Sequence, residues 1–307
     1  MSTALITHPA CYDHVTPPGH PEQVARLDAV LGALEGMDLE RVKAPLGAED
    51  DILRCHPASH LADIRRAAPE SGWLSLDADT HMSVGTLEAA FRCVGGIVRA
   101  VDMVLAGEVG NAFVAMRPPG HHAEKTTAMG FCFFGNVAIA AKHALEHHGL
   151  SRIAIVDFDV HHGNGTQDLV EEDPRILFCS THQSPLYPGT GAAHETGVGN
   201  VLNVPLPGGT GSKGFREAME RLVLPRVDAF APDLILISAG FDAHRDDPLA
   251  GMNLVEADFA WVTERLCDLA AAHCGGRVVS ALEGGYDLEA LGASAAAHVA
   301  VLKERAQ

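Results

Sequence analysis

Apolar positions along this chain fall into two alternating rhythms. Short runs at 112–116, 153–156, 176–178, 234–238 and 278–282 are rich in Val, Ile, Leu and Ala and end in polar or turn residues. That pattern predicts strands buried on both faces. Between the runs, apolar residues recur at helical spacing. In 22–34 the residues Val24, Leu27, Val30, Leu31 and Leu34 share one stripe, with Pro21 before it and Gly36 after it. Further helices are predicted at 86–105, at 136–148 closed by Gly149, at 215–230, at 257–273 closed by Gly275, and from 288 to the C-terminus. Strands alternating with helices imply βαβ units. The expectation is an α/β fold with a mostly parallel central sheet flanked by helices on both faces. No linker, repeat or charge run divides the chain, so a single domain over 1–307 is expected.

Such sheets bind ligands at the carboxyl ends of their strands. The residues that follow four of the predicted strands are therefore informative. They are Arg117-Pro118-Pro119-Gly120-His121-His122, Asp157-Phe158-Asp159-Val160-His161-His162, Ala239-Gly240-Phe241-Asp242 and Glu283-Gly284-Gly285-Tyr286. Asp157, Asp159 and His161 alternate, so on an extended chain they point the same way and crowd like charges. A cation or hydrogen bonds must compensate for that crowding. Asp159, His161 and Asp242 make a set of two carboxylates and one imidazole that leaves a coordination position open, as catalytic metal sites do. The set suits Zn(II) without excluding Fe(II). His121 and His122 are candidates for moving protons, with Asp157 holding one ring and Asn164 the other. Tyr286 can donate to a developing oxyanion, and Gly284 and Gly285 let the backbone approach a ligand. By contrast, His147 and His148 beside Gly149 read as a helix end where cations favour the dipole.

Composition narrows the function classes. The 307 residues are 47% hydrophobic and 20% charged, with a net charge of −18. An acidic surface repels phosphate backbones, so direct nucleic-acid binding is not expected, whereas a cationic partner or substrate would be tolerated. The seven cysteines make no CxxC pair, which fits reduced thiols in a cytoplasmic location. The opening residues lack the features of a secretory signal, and no apolar run reaches the ~18 residues of a membrane span.

Taken together, RPPGHHA (117–123), GFCFFGNVAIAA (130–141), DFDVHHGNGTQ (157–167), PLYPGTG (185–191), NVPLPGGT (203–210), SAGFDAHRDDPLAGM (238–252) and EGGYD (283–287) resemble the zinc-dependent histone deacetylase family, with its arginase/deacetylase fold. The opening loop is similar to that of the class II and bacterial branch. The resemblance implies zinc ligands Asp159, His161 and Asp242, and a general base and acid at His122, with Asp157 partnering His121. Tyr286 would polarise the amide carbonyl, and Gly130, Phe131 and Tyr187, with Leu249, Gly284 and Gly285, would wall a narrow tunnel. A structural K⁺ would sit near Asp157, Asp159, His161 and Ser180. The implied activity is removal of acetyl or other acyl groups from lysine side chains of proteins or peptides.

An acetylated polyamine is the alternative substrate, and a silent acyl-binding protein a lesser one. Leu249 stands where a polyamine-selective relative carries an acidic gatekeeper, which argues against strict polyamine specificity. Asn164 replaces the Asp of class I members, and so holds its histidine without adding charge. His14, His20, Asp79 and Ser83 are candidates for the pocket rim. Cys132 reads as a packed thiol and His244 as a loop residue. Oligomeric state does not follow from these residues.

Overall fold

The computed structural model describes residues 1–306. Its strands are β1 (Thr3–Thr7), β2 (Glu40–Lys43), β3 (Trp73–Ser75), β4 (His81–Ser83), β5 (Asn111–Val114), β6 (Ile153–Asp157), β7 (Ile176–Gln183), β8 (Val201–Leu206), β9 (Leu234–Ala239) and β10 (Val278–Leu282). The helices are α1 (Ala25–Ala33), α2 (Glu49–Leu53), α3 (Ala58–Ala67), α4 (Thr86–Leu105), α5 (Asn136–Glu146), α6 (Asn164–Val170), α7 (Ser212–Ala218), α8 (Leu224–Phe230), α9 (Glu256–Cys274) and α10 (Leu288–Arg305).

Eight strands form one sheet in the order β2-β1-β5-β10-β9-β6-β7-β8, and each neighbouring pair is parallel. β3 and β4 form a separate antiparallel hairpin. Side-chain alternation sorts each central strand onto two cores. Ile153 and Ile155 join Leu234 and Leu236 under α4 and α5. Ala154 and Val156 join Ile235 and Ile237 under α9 and α10. Strands apolar on both faces are what helices on both sides require. Each Val, Leu or Ile so buried contributes roughly 1.5–3 kcal/mol of transfer free energy.

The five expected strands are present with shifted ends. β7 continues to Gln183 through polar residues, and β5 stops at Val114. Three sheet strands were not expected from the pattern. β2 is an edge strand with mostly exposed side chains, so it has no apolar run to reveal it. β8 lies at the other edge and contains Pro205, tolerated there because an edge strand can spare an amide donor. β1 has four buried residues, Thr3 among them, and a half-buried Thr7, at the very start of the chain. The helix expected at 215–230 is α7, a π-helical turn at Met219–Val223, and α8. Pro225 has no N–H to give Arg221, and the ladder shifts register ahead of it. The helix expected from Glu22 begins at Ala25, because Glu22 is a buried ion-pair partner instead.

Candidate active site

β5, β10, β9 and β6 are adjacent in the middle of the sheet, and they end level: Asp157 pairs with Ser238, and Ser238 with Ala281. The loops they release converge on one rim. Asp159, His161 and Asp242 are buried there, with one ligand atom from each within 4.8 Å of the others. His161 Nδ1 lies 3.1 Å from both Asp159 Oδ1 and Asp242 Oδ2. Backbone donors orient the carboxylates: the Gly284 N–H reaches Asp159 Oδ2 at 2.8 Å, and the Val160 N–H reaches Asp242 Oδ1 at 2.9 Å.

Burial disfavours a charge on His161, but its hydrogen bonds to Asp159 and Asp242 outweigh burial and push it up to about 10. Two buried carboxylates that meet at one imidazole call for positive charge between them. A divalent cation answers the same demand, and the donor set fits Zn²⁺ or Fe²⁺. The surroundings leave room for those carboxylates: a Cβ at Gly240 would overlap Asp159, and one at Gly284 would overlap Asp242.

The tandem histidines lie beside this cluster with their rings 4.0 Å apart. The His121 Nδ1–H donates to Asp157 Oδ2 at 3.0 Å, and the His122 Nδ1–H to Asn164 Oδ1 at 2.7 Å. Their electrostatics diverge. Burial opposes a charge on His121, yet Asp159 and Asp157 hold it well above the usual imidazole range. Burial pushes His122 well below that range, and His121 and His161 add to the effect. The surroundings favour the charged form of His121 and the neutral form of His122.

A cavity of about 360 Å³ opens onto the cluster. His122, His161 and Tyr286 form its inner end, and Phe131, Tyr187 and Leu249 line its walls. Gly130 has φ +54°, and a Cβ there would overlap the His122 ring. Tyr187 is 38% exposed and stands edge-on to His122, with ring centroids 5.2 Å apart. Burial pushes the Tyr286 hydroxyl well above the ordinary phenol range, although Arg26 opposes it.

Some expected positions fall elsewhere. Gly284 and Gly285 are not in the cavity wall; they pack against the ligand carboxylates and against Leu291 and Phe241. Their small size serves close packing behind the site. His14 and Ser83 are not on the rim. His14 is buried 3.3 Å from Glu22, and the Ser83 hydroxyl donates to Asp13 O. His20 and Asp79 do reach the wall, where His20 Nε2 donates to Asp79 O at 2.8 Å. Ser180 pairs in register with Asp157, and its hydroxyl bonds to His182. Cys132 is a buried thiol whose ionisation burial opposes.

Other residues that shape the site had little sequence signal. Glu283 Oε2 accepts the N–H groups of Gly120 and His121 at 2.7 and 3.1 Å. Its place directly after a strand is the one clue. Asp247 Oδ2 accepts the Tyr286 N–H at 2.7 Å. Arg26 donates to the carbonyls of Gly285 and Glu283 at 2.6 and 2.5 Å, and its guanidinium lies 4.9 Å from the Tyr286 ring centre. Glu22 pairs with Arg26 at 2.9 Å and with Arg117 at 2.6 Å.

The model of the histone deacetylase domain matches residues 20–302. A histone deacetylase-like amidohydrolase of Pseudomonas aeruginosa is 41% identical over 286 residues, covering 92% of this chain and 74% of its own. A probable deacetylase of Archaeoglobus fulgidus is 40% identical, covering 94% of this chain and 82% of its own. The solved structure of the HDA15 HD domain superposes with a TM-score of 0.94 at 35% identity, over 99% of this chain and 89% of that one.

Proposed function

The chain belongs to the histone deacetylase family, and from that premise we propose that it is a metal-dependent hydrolase removing acetyl or other acyl groups from lysine side chains of proteins or peptides. The observation that carries this reading is the meeting of His122, His161 and Tyr286 at the inner end of one cavity walled by Phe131 and Tyr187. Asp159, His161 and Asp242 would hold Zn²⁺, with Fe²⁺ as the other ion the donors accept. When bound, such an ion supplies a Lewis acid that polarises a carbonyl and lowers the pKa of water toward about 7.

The chain's own residues supply the rest. Phe131 and Tyr187 hold the methylene chain of the substrate and exclude water from its flanks. His122 is neutral, and its Nε2 takes the proton of the attacking water. His121, kept charged by Asp157, places positive charge beside the developing negative charge. The Tyr286 hydroxyl donates to the oxyanion. Protonated His122 then delivers its proton to the leaving nitrogen, giving a free amine and a carboxylate. A K⁺ belongs to the same reading and would sit near Asp157, Asp159, His161 and Ser180. Seven buried thiols support a reducing, cytoplasmic setting.

Leu249 favours lysine over a polyamine as the acyl carrier. It puts an apolar side chain on its stretch of the cavity wall, which leaves Asp79 as the wall's carboxylate for a second ammonium. The test compares kcat/KM on an acetyl-lysine peptide and on an acetylated polyamine, with Tyr286→Phe as control. Faster cleavage of the peptide is expected. Cleavage of the polyamine alone moves the substrate class and keeps the chemistry. Cleavage of neither, with zinc present and longer acyl chains also tried, overturns the reading.

A further inference from the structure

A second group of metal-binding side chains lies away from the catalytic rim. α5 packs against α4, and its C-terminal end faces the opposite edge of the sheet, since β6 begins shortly afterwards at Ile153. There Asp102 of α4 meets His143, His147 and His148. His143 Nε2 and His148 Nε2 both donate to Asp102 Oδ1, at 2.8 and 2.7 Å. The His147 ring stacks on His143 with centroids 4.9 Å apart. One ligand atom from each of the four residues lies within 4.8 Å of the others, as in the catalytic cluster.

We infer that Asp102, His143, His147 and His148 form a second transition-metal site, closed by three imidazoles and one carboxylate and suited to Zn²⁺. Four protein ligands with no open position are the mark of a structural site. Zinc–nitrogen bonds of about 2.0–2.1 Å put tetrahedral ligand atoms roughly 3.4 Å apart. The two hydrogen bonds to Asp102 would open by about 0.6–0.7 Å, and the ligand atoms that now stand up to 4.8 Å apart would close by up to about 1.4 Å, to admit the ion.

The surroundings favour a cation. The site lies at the carbonyl end of α5, where the helix dipole is negative. The Asp102 carboxylate already gathers two of the three imidazoles on one oxygen, Oδ1. His143 Nδ1 is buried without a hydrogen-bond partner, and Asp51 Oδ1 stands 3.7 Å from it. A ligating imidazole commonly donates its other ring N–H to a carboxylate, and Asp51 stands close enough to take that role after a small shift. Arg54, the nearby cation, is already paired with Asp51 and Glu146. The ion would fasten the end of α5 to α4, and through His143 to Asp51 of α2.

The experiment counts metal on the full chain. Protein is equilibrated at micromolar free Zn²⁺, and zinc per chain is measured by inductively coupled plasma mass spectrometry. Wild type is expected to hold two equivalents, and His147→Gln/His148→Gln one, with deacylase activity unchanged. Cobalt added to wild type should give two sets of tetrahedral visible bands, one of them lost in the double variant. One equivalent in wild type overturns the proposal, as does a double variant that keeps both. This count is independent of the proposed substrate, since neither histidine touches the catalytic cavity.

Discussion

Asn164 presents its amide oxygen to His122 Nδ1 at 2.7 Å, and the other end of that amide, donating to Glu124 Oε1 at 2.7 Å, fixes which way round it sits. An oxygen at that position can only accept, so the His122 proton resides on Nδ1 and the lone pair is on Nε2. Asn164→Ala removes the constraint on both tautomer and ring. We expect kcat to fall ~10–100-fold, the range typical for loss of a partner that orients a metal-site group, with KM little changed. Asn164→Asp, which can still accept from Nδ1, should lose less. Steady-state kinetics on an acetyl-lysine peptide measure both.

Tyr286→Phe deletes one hydroxyl and leaves the ring against Arg26 and Phe131. A single oxyanion donor is worth ~10²–10³ in kcat. We expect a loss of that size with an unchanged melting temperature. A change below tenfold would remove the hydroxyl from the mechanism.

Activity should depend on the ion held by Asp159, His161 and Asp242. Dipicolinate treatment is expected to abolish turnover, and zinc or ferrous iron to restore it. Asp242→Ala should prevent restoration while leaving the Asp102 site able to take zinc, which metal counting resolves. Activity that survives chelation down to trace metal would contradict the assignment.

Gly130 couples backbone shape to the acid–base group. With φ +54° and no room for a Cβ beside His122, Gly130→Ala should lower kcat more than tenfold. The left-handed backbone should add ~1–2 kcal/mol of destabilisation, read from urea midpoints.

Stability should fall on mild acidification for a reason remote from the catalytic rim. His298 is buried between Thr263 and Ser280, at 2.6 and 2.9 Å, and burial lowers it to about 3. Burial likewise lowers His56 to about 3. Unfolded imidazoles bind a proton near pH 6.5. Between pH 6.5 and about 3 the unfolded chain therefore binds more protons, and stability declines as pH falls through that window. At pH 5 each such histidine costs about 2 kcal/mol. Urea midpoints at pH 7.5 and pH 5 should differ accordingly, and His298→Gln should narrow the difference.

The strand ends that carry Asp157, Asp159, His161, Asp242 and Tyr286 were legible because the central strands are apolar on both faces, which makes every polar residue at their ends stand out. Edge strands lack that contrast. β2 is exposed and β8 carries Pro205, so neither announces itself. Of the two rim histidines, His14 misled for a different reason and His20 did not mislead. His14 and His20 are six positions apart in one loop, yet Glu22 draws His14 inward while His20 turns to Asp79. Partners distant in sequence also explain His147 and His148. Their helix-end position was readable, but Asp102, 46 residues before His148, was not. Arg26 and Asp247 act through backbone atoms of the Tyr286 loop, and no local spacing encodes that.

Arg26, clamped to two carbonyls of that loop and seated over the Tyr286 ring, has a thermodynamic consequence. The loop loses its conformational entropy when the chain folds, so nothing there remains to be ordered when an acyl chain arrives. Association at this end of the cavity should behave as a rigid lock, with affinity tracking the fit of the ligand and little change in loop protection against hydrogen exchange between the free and the inhibitor-bound protein.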